Sequence, residues 1–154
     1  MERLGCDPSP LDPASSADRL TLTSYVWADQ VDRFERLRAA LQVAAAQPVP
    51  VERLPAASFL ERELAAPQPG VVTVVWHSVV RQYLDAQERA RVTAVLDAAG
   101  GRATRQAPLA HLALEPERVG AGSYDFRVVL QTWPGVGTRR LADCEGHGPP
   151  FAWR

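Results

Sequence analysis

The sequence predicts an α/β fold in which a mostly parallel sheet, built from βαβ units, ends in an antiparallel β-hairpin. The apolar run Val71–Trp76 is typical of a strand that is buried on both faces. An amphipathic stretch, 85–101, separates it from a second apolar run, Leu109–Glu115, which is the order of a βαβ unit. Apolar and polar residues then alternate from Tyr124 to Leu130, as they do in a half-buried antiparallel strand.

Composition limits the class of protein and its partners. The chain has 154 residues, of which 46% are hydrophobic and 23% charged, and its net charge is -1, so we expect one domain over residues 1–154. A charge this close to zero gives no electrostatic footprint for nucleic acid or for a membrane surface, and neither partner is expected. No apolar run approaches the roughly 20 residues of a membrane helix, and the acidic N-terminus does not resemble a secretion leader. A cytoplasmic location is therefore predicted.

The first third contains one ambiguous and one clear helix signal. Ser15 and Asp18 have the spacing of a capping box, which indicates a helix start, whereas Leu20–Thr23 alternates with the period of a strand. Both interpretations stay open. From Asp29 to Gln47 the apolar residues recur at helical spacing, which predicts an amphipathic helix; they are Val31, Phe34, Leu37, Leu41 and Ala44.

Turn and capping residues set the remaining boundaries. Prolines bracket a short candidate strand, Val49–Leu54, and a brief helix is expected over Ser58–Ala65. Asp85 has the sequence context of an N-cap, and Gly100 with Gly101 predicts the end of the helix that follows. The closing hairpin is expected to turn at 134–137 and to continue over Thr138–Cys144.

Candidate site residues follow from strand ends, because ligands in open α/β sheets collect beyond the carboxyl ends of parallel strands. His77 and Glu115 are the candidate catalytic acid and base, although a histidine bonded to a backbone carbonyl is the simpler structural alternative. Ser78 and Asp7 are candidate cofactor contacts, Asp7 only if a strand precedes it. Ser78 lacks the flanking glycines of a nucleophile elbow, so a helix N-cap is its more ordinary role.

Two further site classes have little support in the sequence. His77, Glu115 and His147 include the donors of a two-histidine, one-carboxylate iron site, but no local spacing joins them, and no metal site is expected. A nucleotide site needs a glycine-rich turn between a strand and a helix. The pair Gly135 and Gly137 lies instead between two predicted antiparallel strands, so no such turn is present.

Several separated motifs give the chain a family resemblance. They are the acidic, proline-containing start over 5–12, the segment from Val26-Trp27 to Ala40, His77-Ser78-Val79-Val80 with Tyr83, Glu115, and the closing His147-Gly148 with Trp153. Together they resemble the C-terminal half of a bacterial family of uncharacterised proteins, domain of unknown function 2332. The usual proline after the motif tryptophan is Ala28 here.

The resemblance implies an incomplete Rossmann-like sheet of the class I methyltransferase type. On this resemblance the N-terminal half that carries the cofactor loop is expected to be missing. The chain is therefore expected to have no cofactor, and S-adenosylmethionine would bind only if that half were supplied. The strand Val71–His77 would then have an exposed apolar edge. That edge predicts either a homo-oligomer or pairing with a complementary N-terminal half.

Three functions remain open at this point. The first is a methyltransferase-like partial domain without catalytic activity of its own. The second is a small autonomous enzyme with an acid–base site at His77. The third is a non-enzymatic interaction module that uses the apolar sheet edge.

Overall fold

The computed structural model describes residues 1–135, 137–146 and 148–154, and it has a mixed α/β fold. Its contacts divide the chain into two compact units, Met1–Ala56 and Ala57–Arg154, each of which is described by itself. No helix in the described ranges is long and apolar enough to cross a membrane.

The first unit contains two short parallel strands and two helices. They are β1 (Gly5–Asp7), α1 (Ser16–Ser24), α2 (Val31–Ala46) and β2 (Val51–Arg53), and β1 pairs with β2. The Ser15 hydroxyl accepts a hydrogen bond from the Asp18 amide at 3.3 Å, which confirms the predicted helix start. The strand interpretation of Leu20–Thr23 is wrong, because this cap commits the segment to α1.

The first unit has no buried residue among positions 1–56. The apolar stripe of α2 was correctly predicted, but its side chains are only partly covered, and Phe34 is 45% exposed. Instead of forming a core, Phe34, Leu37 and Leu41 of the stripe line an open groove beside α1. The unit therefore presents apolar surface that an isolated globular domain would normally bury.

The second unit is a helix pair and a five-stranded sheet. Its elements are α3 (Ala56–Glu63), β3 (Thr73–Ser78), a 3-10 turn (Arg81–Tyr83), α4 (Ala86–Arg102), β4 (Leu109–Gly120), β5 (Ser123–Trp133), β6 (Thr138–Glu145) and β7 (Gly148–Trp153). The Asp85 carboxylate accepts from the Glu88 amide at 2.8 Å, so the predicted cap of α4 is confirmed.

The expectation of a mostly parallel sheet is wrong. The strand order is β3-β4-β5-β6-β7, and within this sheet only β3 and β4 are parallel, whereas the three later pairings are antiparallel. The physical reason is that β4 does not end at Glu115 but continues to Gly120, where a tight turn containing Gly122 at φ 79° returns the chain as β5. Antiparallel neighbours need only such a short connection.

The C-terminal hairpin of β5 and β6 is confirmed, and one more strand follows it. The predicted turn includes Val136, which lies outside the described residues. The added strand, β7, was not predicted because Pro149 and Pro150 argue against a central strand. As the last strand of the sheet, β7 tolerates these prolines.

Buried residues of the second unit form two groups. One comes from α3, α4 and the start of β4, and includes Phe59, Leu96 and Leu109. The other is a cluster of Leu114, Val128 and Ala142 across β4, β5 and β6. Since successive strand residues point to opposite faces, Leu109 and Leu114 place these two groups on opposite faces of the sheet.

Gly100 and Gly101 do not end α4, which continues to Arg102. Gly100 is buried, and a Cβ atom at this position would lie 2.5 Å from the Trp133 ring. A Cβ atom at Gly101 would meet nothing within 4 Å. Gly100 therefore permits close packing between α4 and β5. From the sequence alone, this glycine had been interpreted as part of a helix end.

We expect Gly100→Ala to lower the free energy of unfolding by about 1–3 kcal/mol, because the added methyl group overpacks against Trp133. Gly101→Ala is the matched control and is expected to raise the same quantity by about 0.5–1 kcal/mol through helix propensity. Urea unfolding of both variants measures the difference. Equal effects of the two substitutions would contradict the close-packing role of Gly100.

Candidate functional site

The parallel pairing of β3 and β4 brings two histidines together on one face of the sheet. Val75 lies opposite His111 and His77 lies opposite Ala113, so the two histidines are diagonal neighbours. His77 Nε2 is 2.9 Å from His111 Nε2, and the ring centroids are 5.0 Å apart. A hydrogen between these two nitrogen atoms joins the strands through their side chains.

Glu115 completes the cluster from further along β4. Its Oε1 atom lies 2.8 Å from His77 Nδ1, and the two side chains are only 15% and 18% exposed, respectively. The structure therefore brings the predicted pair His77 and Glu115 into direct contact. It adds His111, which lies inside the predicted strand Leu109–Glu115 and was not among the candidate site residues.

The turn after β3 is strained and directs backbone donors at Glu115. Val79 has φ 52°, a left-handed conformation that a β-branched residue rarely adopts. Its amide donates to the Leu114 carbonyl at 2.8 Å, which anchors the turn to β4. The next two amides, of Val80 and Arg81, then donate to Glu115 Oε1 at 2.9 and 3.2 Å. Strain of this kind needs surrounding contacts to hold it, and it clusters at functional positions.

The second carboxylate oxygen of Glu115 is in a different situation. Glu115 Oε2 is buried and has no hydrogen-bond partner among the described residues. A buried acceptor without a donor costs free energy. One oxygen of the carboxylate thus accepts hydrogen bonds from His77 and the turn, and the other can still accept a hydrogen bond.

The environment of His111 fixes its charge state near neutral pH. Burial is the main cause that lowers its pKa to about 4, and the positive charges of His77, when protonated, and Arg81 lower it further. His111 is therefore neutral at pH 7. Because Glu115 accepts at Nδ1 of His77, that nitrogen carries a hydrogen, and the His77 Nε2 atom can exchange a proton with His111.

The other predicted site residues lie elsewhere. Ser78 is the last residue of β3, is exposed, and points to the sheet face opposite His77. It is not the N-cap of the following turn, because that position belongs to Val80. Asp7 ends β1 in the first unit, where its Oδ1 atom accepts from the Ser9 amide at 2.6 Å.

Of the three iron-site donors considered above, His77 and Glu115 are described, whereas His147 lies outside the described residues. Within the described ranges, no group of three or more histidine, cysteine, aspartate or glutamate side chains has the geometry to hold a metal ion.

The second feature of this region is the free edge of β3, which no described strand pairs on its outer side. The amides of Thr73 and Val79 donate to Pro108 and Leu114 of the β4 side. In a parallel strand the intervening residues direct their N–H and C=O groups the opposite way. The outward row, defined as Val74, Trp76 and Ser78, therefore offers backbone donors and acceptors along an open edge.

Two of the three side chains in the outward row, Val74 and Trp76, are apolar and uncovered. Val74 is 56% exposed and Trp76 is 63% exposed, so the expectation that this strand is buried on both faces is wrong. Thr73–Ser78 contains no aspartate, glutamate, lysine, arginine or proline. The opposite edge of the sheet, β7, carries Pro149 and Pro150, which remove backbone donors. One edge of the sheet is thus protected against strand addition, and the β3 edge is not.

The fold and site define a mixed α/β protein with a carboxylate–histidine–histidine cluster beside an open strand edge. A family model described as an uncharacterised protein conserved in bacteria, domain of unknown function 2332, matches residues 1–153, and the chain belongs to this family. No curated protein matches the chain, and no solved structure does so either.

We expect the stability of the protein to fall as the pH decreases from about 6.5 to about 4, because unfolded His111 binds a proton in this range and folded His111 does not. Above this range His111 is neutral in both the folded and the unfolded state, so its titration takes nothing from the free energy of unfolding. With solvent screening taken into account, the loss should be about 1–2 kcal/mol. Urea unfolding at pH 7 and pH 4.5 measures it.

His111→Gln is the control for this pH dependence, because it keeps a polar side chain without titrating. Between pH 7 and pH 4.5, its free energy of unfolding should fall by about 1–2 kcal/mol less than that of the wild type. If the two proteins lose the same free energy of unfolding, the assignment to His111 is wrong.

Proposed function

We propose that this protein is a partner-dependent component of a larger α/β assembly. In this role it accepts a β-strand from another polypeptide along the outward row of β3, and it has no catalytic activity of its own. The observation that carries the proposal is the contrast within one sheet between the proline-protected β7 edge and the apolar, unprotected β3 edge.

The chemistry of the edge specifies the partner. The outward row needs an extended strand that supplies complementary N–H and C=O groups. Val72, Val74 and Trp76 also expose apolar side chains, and an added strand by itself would leave them partly accessible to solvent. We therefore infer a partner that provides an apolar strand followed by a helix, and the apolar face of that helix covers Trp76 and its neighbours.

The same partner fits the methyltransferase-like interpretation, in which a complementary half supplies a strand beside β3 and the cofactor loop. The turn after β3 lacks the features of a glycine-rich cofactor loop. It contains no glycine, and the Val80 and Arg81 amides are already bound to Glu115. Cofactor binding, on this proposal, belongs to the partner half.

A synthetic eight-residue peptide of alternating valine and threonine tests strand acceptance. The wild-type protein should bind a fluorescently labelled form of it saturably, measured by fluorescence anisotropy. The same peptide N-methylated at alternate residues should not bind, because it cannot pair along one edge. Val74→Lys should weaken binding at least about tenfold, since strand addition would desolvate the new charge.

Val43→Lys is the matched control variant, because Val43 is 57% exposed and lies on α2. It should bind the peptide like the wild type. Equal binding of the plain and N-methylated peptides, or no binding of either, would contradict strand acceptance. If the wild type sediments as a dimer and Val74→Lys dissociates it, the edge binds a second copy of this chain. That result would overturn the proposal of a different partner polypeptide.

A second candidate function, acid–base catalysis at His77, is favoured by the short contacts of His77 with Glu115 and His111. Glu115 would hold the hydrogen on His77 Nδ1, and the Nε2 atom would take a proton from a substrate or from water. His111 would have to turn aside to free that nitrogen. Glu115 would act as a positioning residue, in the manner of the carboxylate in hydrolase triads.

Hydrolysis of p-nitrophenyl acetate tests this second function. The wild type should exceed His77→Gln in rate by at least about tenfold, and His111→Gln should hydrolyse faster than the wild type because His77 Nε2 is released. Glu115→Gln should shift the pH–rate profile, a readout that a purely structural role would leave unchanged. A wild-type rate in His77→Gln, with circular dichroism showing a folded protein, would exclude His77 as the base.

A further inference from the structure

We propose that the groove between α1 and α2 binds a small amphiphile with one apolar chain and an anionic head group, of the fatty-acid class. The groove has a volume of about 550 Å³ and lies entirely within the first unit. This site is independent of the β3 edge and of the histidine cluster, so it does not rest on either function proposed above.

The floor of the groove is apolar and elongated. Phe34, Leu37 and Leu41 of α2 follow helical spacing along it, and Leu20 of α1 lines the opposite side. The lining extends to Ala45, so the α2 wall is about 16 Å long. A single extended alkyl chain matches such a surface, because its binding free energy comes from removing contiguous apolar area from water.

The two charged side chains that line the groove are both positive. Arg19 and Arg38 line it, and no aspartate or glutamate does. Arg19 donates to the Pro13 and Ala14 carbonyls, which hold it beside the groove. Arg38 has no side-chain hydrogen bond or ion pair with any described residue, so its guanidinium can bind a carboxylate head group with charge-assisted hydrogen bonds.

The size of the groove favours a small ligand over a protein partner. Small-molecule sites are apolar clefts of roughly 300–1,000 Å³ with a few placed polar groups. The groove falls in this range and has one arginine on each helix. A neutral apolar ligand would leave the Arg38 guanidinium without a partner, and the positive charge of the two arginines favours an anion.

Isothermal titration of the full chain with decanoate, below its micelle threshold, tests the proposal. Decanoate should bind stoichiometrically, and Arg38→Gln should weaken its binding about tenfold by removing the head-group contact. Arg36→Gln is the matched control, because Arg36 is on the same helix, is exposed, and does not line the groove. It should change the affinity less than about twofold.

Decanol separates recognition of the head group from general apolar binding. It should bind the wild type more weakly than decanoate does, and Arg38→Gln should not alter its affinity. Decanol binding as tight as decanoate binding, or equal losses in Arg38→Gln and Arg36→Gln, would overturn the proposal. All of these variants change exposed side chains, and circular dichroism checks that they fold like the wild type.

Discussion

The carboxylate of Glu115 is the group on which the site depends. One of its oxygen atoms accepts from the His77 ring and from the Val80 and Arg81 amides. This single acceptor therefore joins β4 to β3 and to the strained turn at Val79. Without it, two amides and one imidazole N–H would lose their partner, and the bond from the Val79 amide to the Leu114 carbonyl would be left to hold the strained turn.

The structure also connects the histidine cluster to the open edge. His77 and Trp76 are successive residues of β3, so their side chains leave the strand on opposite faces. A strand added along the outward row would bind the backbone of the same strand that carries His77. Partner binding and any proton transfer at His77 would then act on one element, and a completed assembly would hold that element more rigidly than the isolated chain does.

The two units handle apolar surface differently. The second unit buries side chains on both faces of its sheet, with α3 and α4 contributing to one of the two groups. The first unit places a regular apolar stripe on α2 and buries none of its residues. Periodicity alone predicted that stripe but could not predict what covers it, because amphipathicity reports which face is apolar and not which surface it meets.

The sequence by itself determined the local elements. Capping at Asp85, the helical stripe of α2, the apolar run of β3 and the alternation in β5 all depend on neighbours a few residues apart, and the type of each element was predicted correctly. The burial of β3 was not, because local pattern does not report whether a second strand or helix covers a face. Tertiary structure alone decided the antiparallel majority of the sheet, the packing of Gly100 against Trp133 and the contact of His77 with His111. These features depend on strand register and on close approach between distant segments, which no local pattern encodes. His77 and Glu115 could be named from the ends of predicted strands, whereas His111 joined them only when the parallel register was known.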